Sequence, residues 1–184
     1  TEYRELSKNS QTVIDFGVLS GSNTNTKSHF FLNSEIDLNS EYFDKSDLTV
    51  NLQKTTNDTY LKSFEIVSPI ITNTSTLNSN LNLTLKKDLK DLSLSMDAFE
   101  TLGGTNSDRY QFVFPSYSYN ELLNLNDKIP GSLNFTSTGQ HKNFNTNTSE
   151  VVVVNDLNYN SKNYYSKYGF LNFYNILFKN VNTN

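Results

Sequence analysis

Few side chains in this chain are able to do chemistry, and their spacing favours structure over catalysis. His29 and His141 are the only histidines, and there is no cysteine. Neither imidazole therefore has a thiolate or a second imidazole at metal-ligand spacing. A surface or lumen-facing histidine is the expectation for both. Asp108 and Arg109 stand together and read as a charge pair at a strand end. Asp88, Asp91 and Asp97 suit one wet strand face better than a pair of catalytic carboxylates. Gly103-Gly104 is not followed by the Lys-Ser/Thr of a phosphate loop, and no nucleophile elbow occurs. Sequons such as Asn57-Asp58-Thr59 and Asn134-Phe135-Thr136 are expected by chance in a chain so rich in Asn. The sequence predicts no enzyme, with no catalytic residue, no metal site and no cofactor.

The elements that hold these residues carry more information. The hydrophobic fraction is 35% and mean hydropathy is -0.54, which is lean for a large dry core. Yet 11 Tyr and 13 Phe are too many for a disordered chain. Such a composition suits a sheet with one wet and one apolar face. The net charge of -4 and pI near 5.1 argue against a nucleic-acid surface. No apolar run approaches the length of a membrane helix. Thr1 opens directly onto polar residues, with no signal peptide and no initiating Met, so the chain is expected to be a piece of a longer one.

Period-two alternation recurs along nearly the whole chain. In the tract Asn106 to Asn120, Tyr110, Phe112 and Phe114 are predicted on one face of a strand. Val113, Pro115, Tyr117 and Tyr119 are predicted on the other, with Pro115 marking an edge or a bulge. Glu2–Lys8 is a weak strand candidate, and further strands are predicted at Gln11–Leu19, Lys27–Asn39, Leu48–Gln53 and Tyr60–Ile66. The cleanest hairpin sets Leu77, Leu81, Leu83 and Leu85 against Asn78, Asn80, Asn82 and Thr84. After Lys86-Lys87-Asp88, Leu92, Leu94, Met96 and Ala98 stand against Asp91, Ser93, Ser95 and Asp97. Turns are expected at Ser20-Gly21-Ser22-Asn23 and at Asn57-Asp58. Glu121–Ile129 holds the one predicted helical turn, ended by Asp127-Lys128-Ile129-Pro130-Gly131. Leu133 and Phe135 alternate again, Gly139–Ser149 is a polar Asn-rich tract, and Glu150–Tyr159 and Gly169–Lys179 close the chain. That is roughly ten or eleven strands, compatible with a sandwich or a membrane barrel.

Four stretches in order resemble the LPS-assembly protein LptD (organic solvent tolerance protein) family. The run from Leu48 to Phe64 resembles a barrel strand and its exit, with Lys54, Asp58, Tyr60, Leu61 and Phe64 in the matching roles. Glu2-Tyr3-Arg4 resembles an early strand, and Arg109 to Tyr117 resembles a strand in which Pro precedes an aromatic run. The stretches Pro130–Phe135 and His141–Asn147 resemble the hairpin that follows. The family's periplasmic domain, its first and last barrel strands and its linking cysteines have no counterpart here.

The resemblance implies one unit over residues 1–184, an all-β antiparallel up-and-down meander belonging to a large transmembrane β-barrel. As a fragment it is expected to be a curved open sheet. The implied function is transport without catalysis, in the outer-membrane translocon of a Gram-negative bacterium that places lipopolysaccharide at the cell surface. The implied partners are lipopolysaccharide, outer-membrane lipid, a plug lipoprotein and periplasmic bridge proteins, with no nucleic acid. Asn78, Asn80, Asn82, Asp91, Ser93, Ser95 and Asp97 are expected to face the lumen. Leu81, Leu83, Leu85, Leu92, Leu94 and Met96 are expected to face lipid. The alternative is a soluble β-sandwich or jelly roll, a binding or capsid module, in which the Leu face packs on a second sheet. A weaker option is another barrel class, such as a porin or receptor.

Overall fold

The computed structural model describes residues 1–21, 24–104, 109–125, 129–144 and 148–184. Alternating side chains and short polar connections lead each strand back along the one before it. The strands are β1 (Glu2–Leu6), β2 (Ser10–Gly21), β3 (Thr24–Asp37), β4 (Lys45–Thr55), β5 (Thr76–Lys87) and β6 (Lys90–Thr101). They continue as β7 (Tyr110–Leu123), β8 (Gly131–Phe144), β9 (Ser149–Ser161), β10 (Tyr164–Tyr165), β11 (Leu171–Asn172) and β12 (Asn175–Thr183). One ten-stranded sheet runs in the order β1 to β9 and then β12, every neighbour antiparallel. It is an open meander whose edges are β1 and β12, and β10 with β11 forms a separate small ribbon.

Register sorts the side chains, because directly opposed residues share a face. Ile36, Leu48, Leu83, Leu94 and Tyr117 form one cross-strand row. One residue along, Thr49, Asn82, Ser95, Ser116 and Gln140 form a row on the opposite face. The strands are also staggered. Ile14 stands near the middle of β2 and pairs with Leu32, which pairs with Leu52. Extending the Asn51–Asn80 register takes this level to Ser79, then Ala98, Phe112 and Asn143, next to the end of β8. A steady slide of this kind across successive strands is the stagger that accompanies strand tilt about a barrel axis.

Three expectations change. Tyr117 and Tyr119 do not oppose Tyr110 and Phe112. The partner of β7 slips by one residue between Val113 and Ser116, and β6 records the same shift. This bulge at Phe114-Pro115 inserts one residue, so Tyr117 pairs with Leu94 and Phe112 with Ala98, all on the apolar face. Next, Tyr60–Ser63 is a short helix, α1, and not a strand. Asn57 Oδ1 accepts the Thr59 backbone N–H and hydroxyl at 3.0 and 2.9 Å, turning the chain before it can extend. The helical turn expected after Glu121 is absent among the described residues, since Glu121–Leu123 completes β7. The polar tract from Gly139 continues β8 as far as Phe144. The turn residues Ser22-Asn23, Asn106-Ser107-Asp108, Asp127-Lys128 and Asn145-Thr146-Asn147 lie outside the described residues.

The buried apolar set is small and sits at one rim. Phe31, Tyr60, Leu61 and Leu77 are buried, packed by Ile66, Ile70, Ile71 and Leu102 where residues 56–75 fold back. Fully burying such side chains is worth about 1.5–3 kcal/mol each. At this rim the β4–β5 ladder ends at Asn51–Asn80. Side chains take over the backbone groups, with Gln53 N donating to Ser79 Oγ at 2.9 Å and Asn78 N to Gln53 Oε1 at 3.0 Å. The apolar face itself is uncovered by any second sheet among the described residues. Leu94 is 40% exposed, Phe112 43% and Phe178 66%.

Candidate functional site

Two of the stretches singled out in the sequence meet at the rim where residues 56–75 cross from β4 to β5. Arg109 lies immediately before β7 and reaches Asp58, in the turn ahead of α1. Its Nη1 donates to Asp58 Oδ2 at 2.9 Å and its Nη2 to Asp58 Oδ1 at 2.7 Å, the bidentate fork that suits guanidinium and carboxylate. Nη2 also donates to Glu100 Oε1 at 2.6 Å, and Tyr110 OH donates to the same oxygen at 3.0 Å. Lys54 Nζ holds the other Glu100 oxygen at 2.7 Å. Arg109 and Lys54 also lie near the Tyr110 ring, 5.5 and 5.8 Å from its centroid.

Two cations face two carboxylates, so the cluster is balanced and its oxygens are occupied. The fork from Arg109 holds the Asp58 carboxyl below the usual carboxylate range, with a further hydrogen bond from the Gly103 backbone. The same fork, with Glu100, raises Arg109 above its already high value. Gly103 takes φ of +78°, a left-handed conformation that glycine adopts without penalty, and so brings its backbone to Asp58. The Gly103-Gly104 pair thus serves a clasp. The chemistry available is electrostatic fastening of residues 56–75 to the sheet.

A second cluster fastens the same segment from the polar face. His29 was expected at a surface or in a lumen, but it is buried beneath α1. Its ring stacks on Phe31 at 4.8 Å, Nδ1 lies 3.3 Å from Tyr60 OH, and Nε2 lies 3.4 Å from Asp15 Oδ1. Gly17 faces His29 across the β2–β3 pair, and a Cβ there would stand 2.4 Å from the imidazole. Aspartate, histidine and tyrosine stand in line, with the imidazole enclosed between Phe31 and Tyr60. His141 instead stays partly exposed, its Nδ1 3.0 Å from the Phe114 carbonyl. Among the described residues no three His, Asp or Glu side chains converge as metal ligands.

The Leu77–Ala98 hairpin carries its polar residues on one face. Asn80 opposes Asp97, and Asn82 opposes Ser95. Ser93 donates to Asn82 at 3.0 Å, Ser95 meets Ser116 at 3.0 Å, and Lys86 pairs with Asp91 at 3.3 Å. Asn78 belongs to the same face but spends its backbone N–H on Gln53. Leu81 opposes Met96, Leu83 opposes Leu94, and Leu85 opposes Leu92 on the other face. Asp88 does not join Asp91 and Asp97, because it occupies the hairpin turn with φ of +51°.

Arg109 was read as the partner of its neighbour Asp108, a residue outside the described ones. The observed partners lie 51 and 9 positions away. No local pattern marks Glu100, so its role was not legible. Lys54 and Asp58 stand close to Tyr60 in the sequence, and Arg109 beside Tyr110, but no local pattern brings the two stretches together. Comparison with family models, curated proteins and solved structures returned no match.

Proposed function

We propose that the chain is a stretch of barrel wall in the outer membrane of a Gram-negative bacterium, in a translocon of the lipopolysaccharide-assembly type. One observation carries the barrel-wall reading. A ten-stranded antiparallel meander has a largely apolar face that no second sheet covers among the described residues, opposite a face rich in Asn, Ser, Thr and Asp. In hydrocarbon every backbone polar group must find a partner, which sheet pairing satisfies and irregular chain does not. Strands β2 to β9, of 11–14 residues, are long enough to span, which takes roughly 9–11.

In this reading Leu81, Leu83, Leu85, Leu92, Leu94 and Met96 meet lipid, and Asn78, Asn80, Asn82, Asp91, Ser93, Ser95 and Asp97 line a hydrated lumen. The glycan of lipopolysaccharide passes along that polar wall, exchanging water for hydroxyl, amide and carboxylate partners. The acyl chains remain in the hydrocarbon. Residues 56–75 sit at one rim of that wall, clasped by Arg109 and with α1 seated over His29. A plug lipoprotein and periplasmic bridge proteins complete the machine. The translocon assignment is supported by the four stretches quoted above, two of which converge on the Arg109 clasp.

Cysteine labelling in intact membranes tests the wall. Cysteine at position 83 or 94 should react with a lipid-soluble maleimide and resist a water-soluble one, and at 82 or 93 the reverse. Protection of 83 and 94 from both reagents would mean a protein core, and the sandwich would replace the barrel. A photo-crosslinker at Asn82 should then capture lipopolysaccharide in cells. Correct labelling without capture would leave a porin or receptor wall.

A further inference from the structure

The segment between β9 and β12 carries an interaction surface that the wall does not use. Its root is tied to the sheet, with Ser161 N donating to the Tyr174 carbonyl at 2.8 Å and Tyr174 N to Ser161 Oγ at 2.7 Å. Its tip is a built turn. Ser166 N donates to the Phe170 carbonyl at 2.8 Å and Gly169 N to the Ser166 carbonyl at 3.1 Å. Ser166 Oγ accepts the Tyr168 and Phe170 amides, and Gly169 takes φ of +81°. On this frame Tyr164, Tyr165, Tyr168, Phe170, Phe173 and Tyr174 are all exposed, Tyr168 to 87%. Such side chains, apolar in the body and in four cases polar at the tip, favour the boundary between hydrocarbon and water.

Charge narrows the choice of partner. The chain has a net charge of -4, yet from Leu157 to Asn184 it holds three lysines and no carboxylate side chain. Lys179 pairs with Asp156 at 3.0 Å. Lys162 and Lys167 are exposed on the ribbon and have no ion-pair partner among the described residues. The ribbon also continues into β12, where Ile176 and Phe178 oppose Tyr159 and Leu157 on the apolar face. Exposed rings on a segment that leads directly into that face, beside the exposed Lys162 and Lys167, are complementary to a layer of anionic lipid headgroups.

We propose that residues 162–174 form a finger that seats in the headgroup layer of an anionic leaflet. The rings enter the interface, and Lys162 and Lys167 meet lipid phosphates. The proposal rests on the barrel-wall reading, which places the neighbouring apolar face in the membrane.

The chain has no tryptophan, so Tyr168→Trp introduces a single emitter at the tip, and Leu94→Trp a separate one on the apolar face. Each variant is placed in phosphatidylcholine vesicles with and without phosphatidylglycerol. The probe at 168 should shift to the blue, escape aqueous iodide, and be quenched by lipids brominated near the glycerol. These effects should strengthen with phosphatidylglycerol. Adding Lys162→Gln and Lys167→Gln should lower the ratio of seated to free finger about fivefold per lysine and remove the dependence on phosphatidylglycerol. Iodide quenching at 168 without lipid quenching overturns the proposal. Protection from both quenchers also overturns it, since a protein surface would then cover the finger. Equal seating on neutral and anionic lipid refutes the role of the lysines. Lipid quenching at 94 but not at 168 removes the finger and leaves the wall. Quenching at 168 but not at 94 keeps the finger and removes the wall.

Discussion

Arg109 gathers Asp58, Glu100 and Tyr110 with one planar group, and a point charge cannot reproduce that geometry. Arg109→Lys should therefore weaken the hold on residues 56–75 by about 1.5–3 kcal/mol, the range for hydrogen bonds to charged groups. Hydrogen exchange at the Tyr60–Ser63 amides measures it, and unchanged protection would show the clasp to be idle. Acid should have a related effect with a definite sign. Asp58 has a folded pKa below its unfolded one, so its contribution is complete above the unfolded value of about 3.9 and is lost as pH falls through the lower folded value. Protection should stay level around neutrality and drop only in strong acid. A loss beginning near neutrality would point to a different group. Gly17→Ala tests the other fastening. Its methyl would meet an imidazole held between Phe31 and Tyr60, and the clash should destabilise the β2–β3 pair by about 1–3 kcal/mol in a denaturant titration.

At the scale of elements, the bulge in β7 decides which side its aromatics serve. A one-residue slip exchanges the faces of every side chain beyond it. Deleting Pro115 should therefore send Tyr117 and Tyr119 to the polar face, or break pairing with β6 and β8. Pro115→Ala keeps the residue count and should keep the faces. Folding yield into lipid vesicles should collapse for the deletion and survive for the substitution; equal yields would show that the extra residue is not needed. The neighbouring strand is shaped to match. Tyr117 lies over Gly139, where a Cβ would come within 2.2 Å of the ring, and its hydroxyl reaches Ser137 at 3.1 Å. The open hairpin face has no such interlock, and Leu83 and Leu94 simply present their side chains outward.

Among the described residues the ten-stranded sheet has no second sheet stacked on it, and its edges are β1 and β12. An uncovered apolar face and two free edges are aggregation hazards in water. The isolated chain should therefore be insoluble in plain buffer and recover strand circular dichroism in detergent or lipid. Sedimentation as a soluble monomer at high concentration would contradict the barrel-wall reading and restore the sandwich. The stagger of the strands suits the same reading, since barrel closure requires a steady slide of register.

Composition and alternation determined a great deal on their own. The repeated period of two names the strands, and short polar connections make neighbours in sequence neighbours in the sheet. The partition of Asn82 and Ser93 from Leu83 and Leu94 follows from geometry alone, because successive side chains on a strand point to opposite faces. Tertiary structure decided what depends on a partner elsewhere in the chain. The bulge at Pro115 exists because β6 and β8 both accept it, and a single strand cannot report a shift relative to neighbours. Tyr60–Ile66 reads as a strand in the sequence, yet Tyr60–Ser63 turns into a helix that buries Tyr60 and Leu61 against Phe31. Arg109 carries no local sign of Asp58 or Glu100. Attraction between charges depends on distance in space, and the return of residues 56–75 over the rim is what closes it.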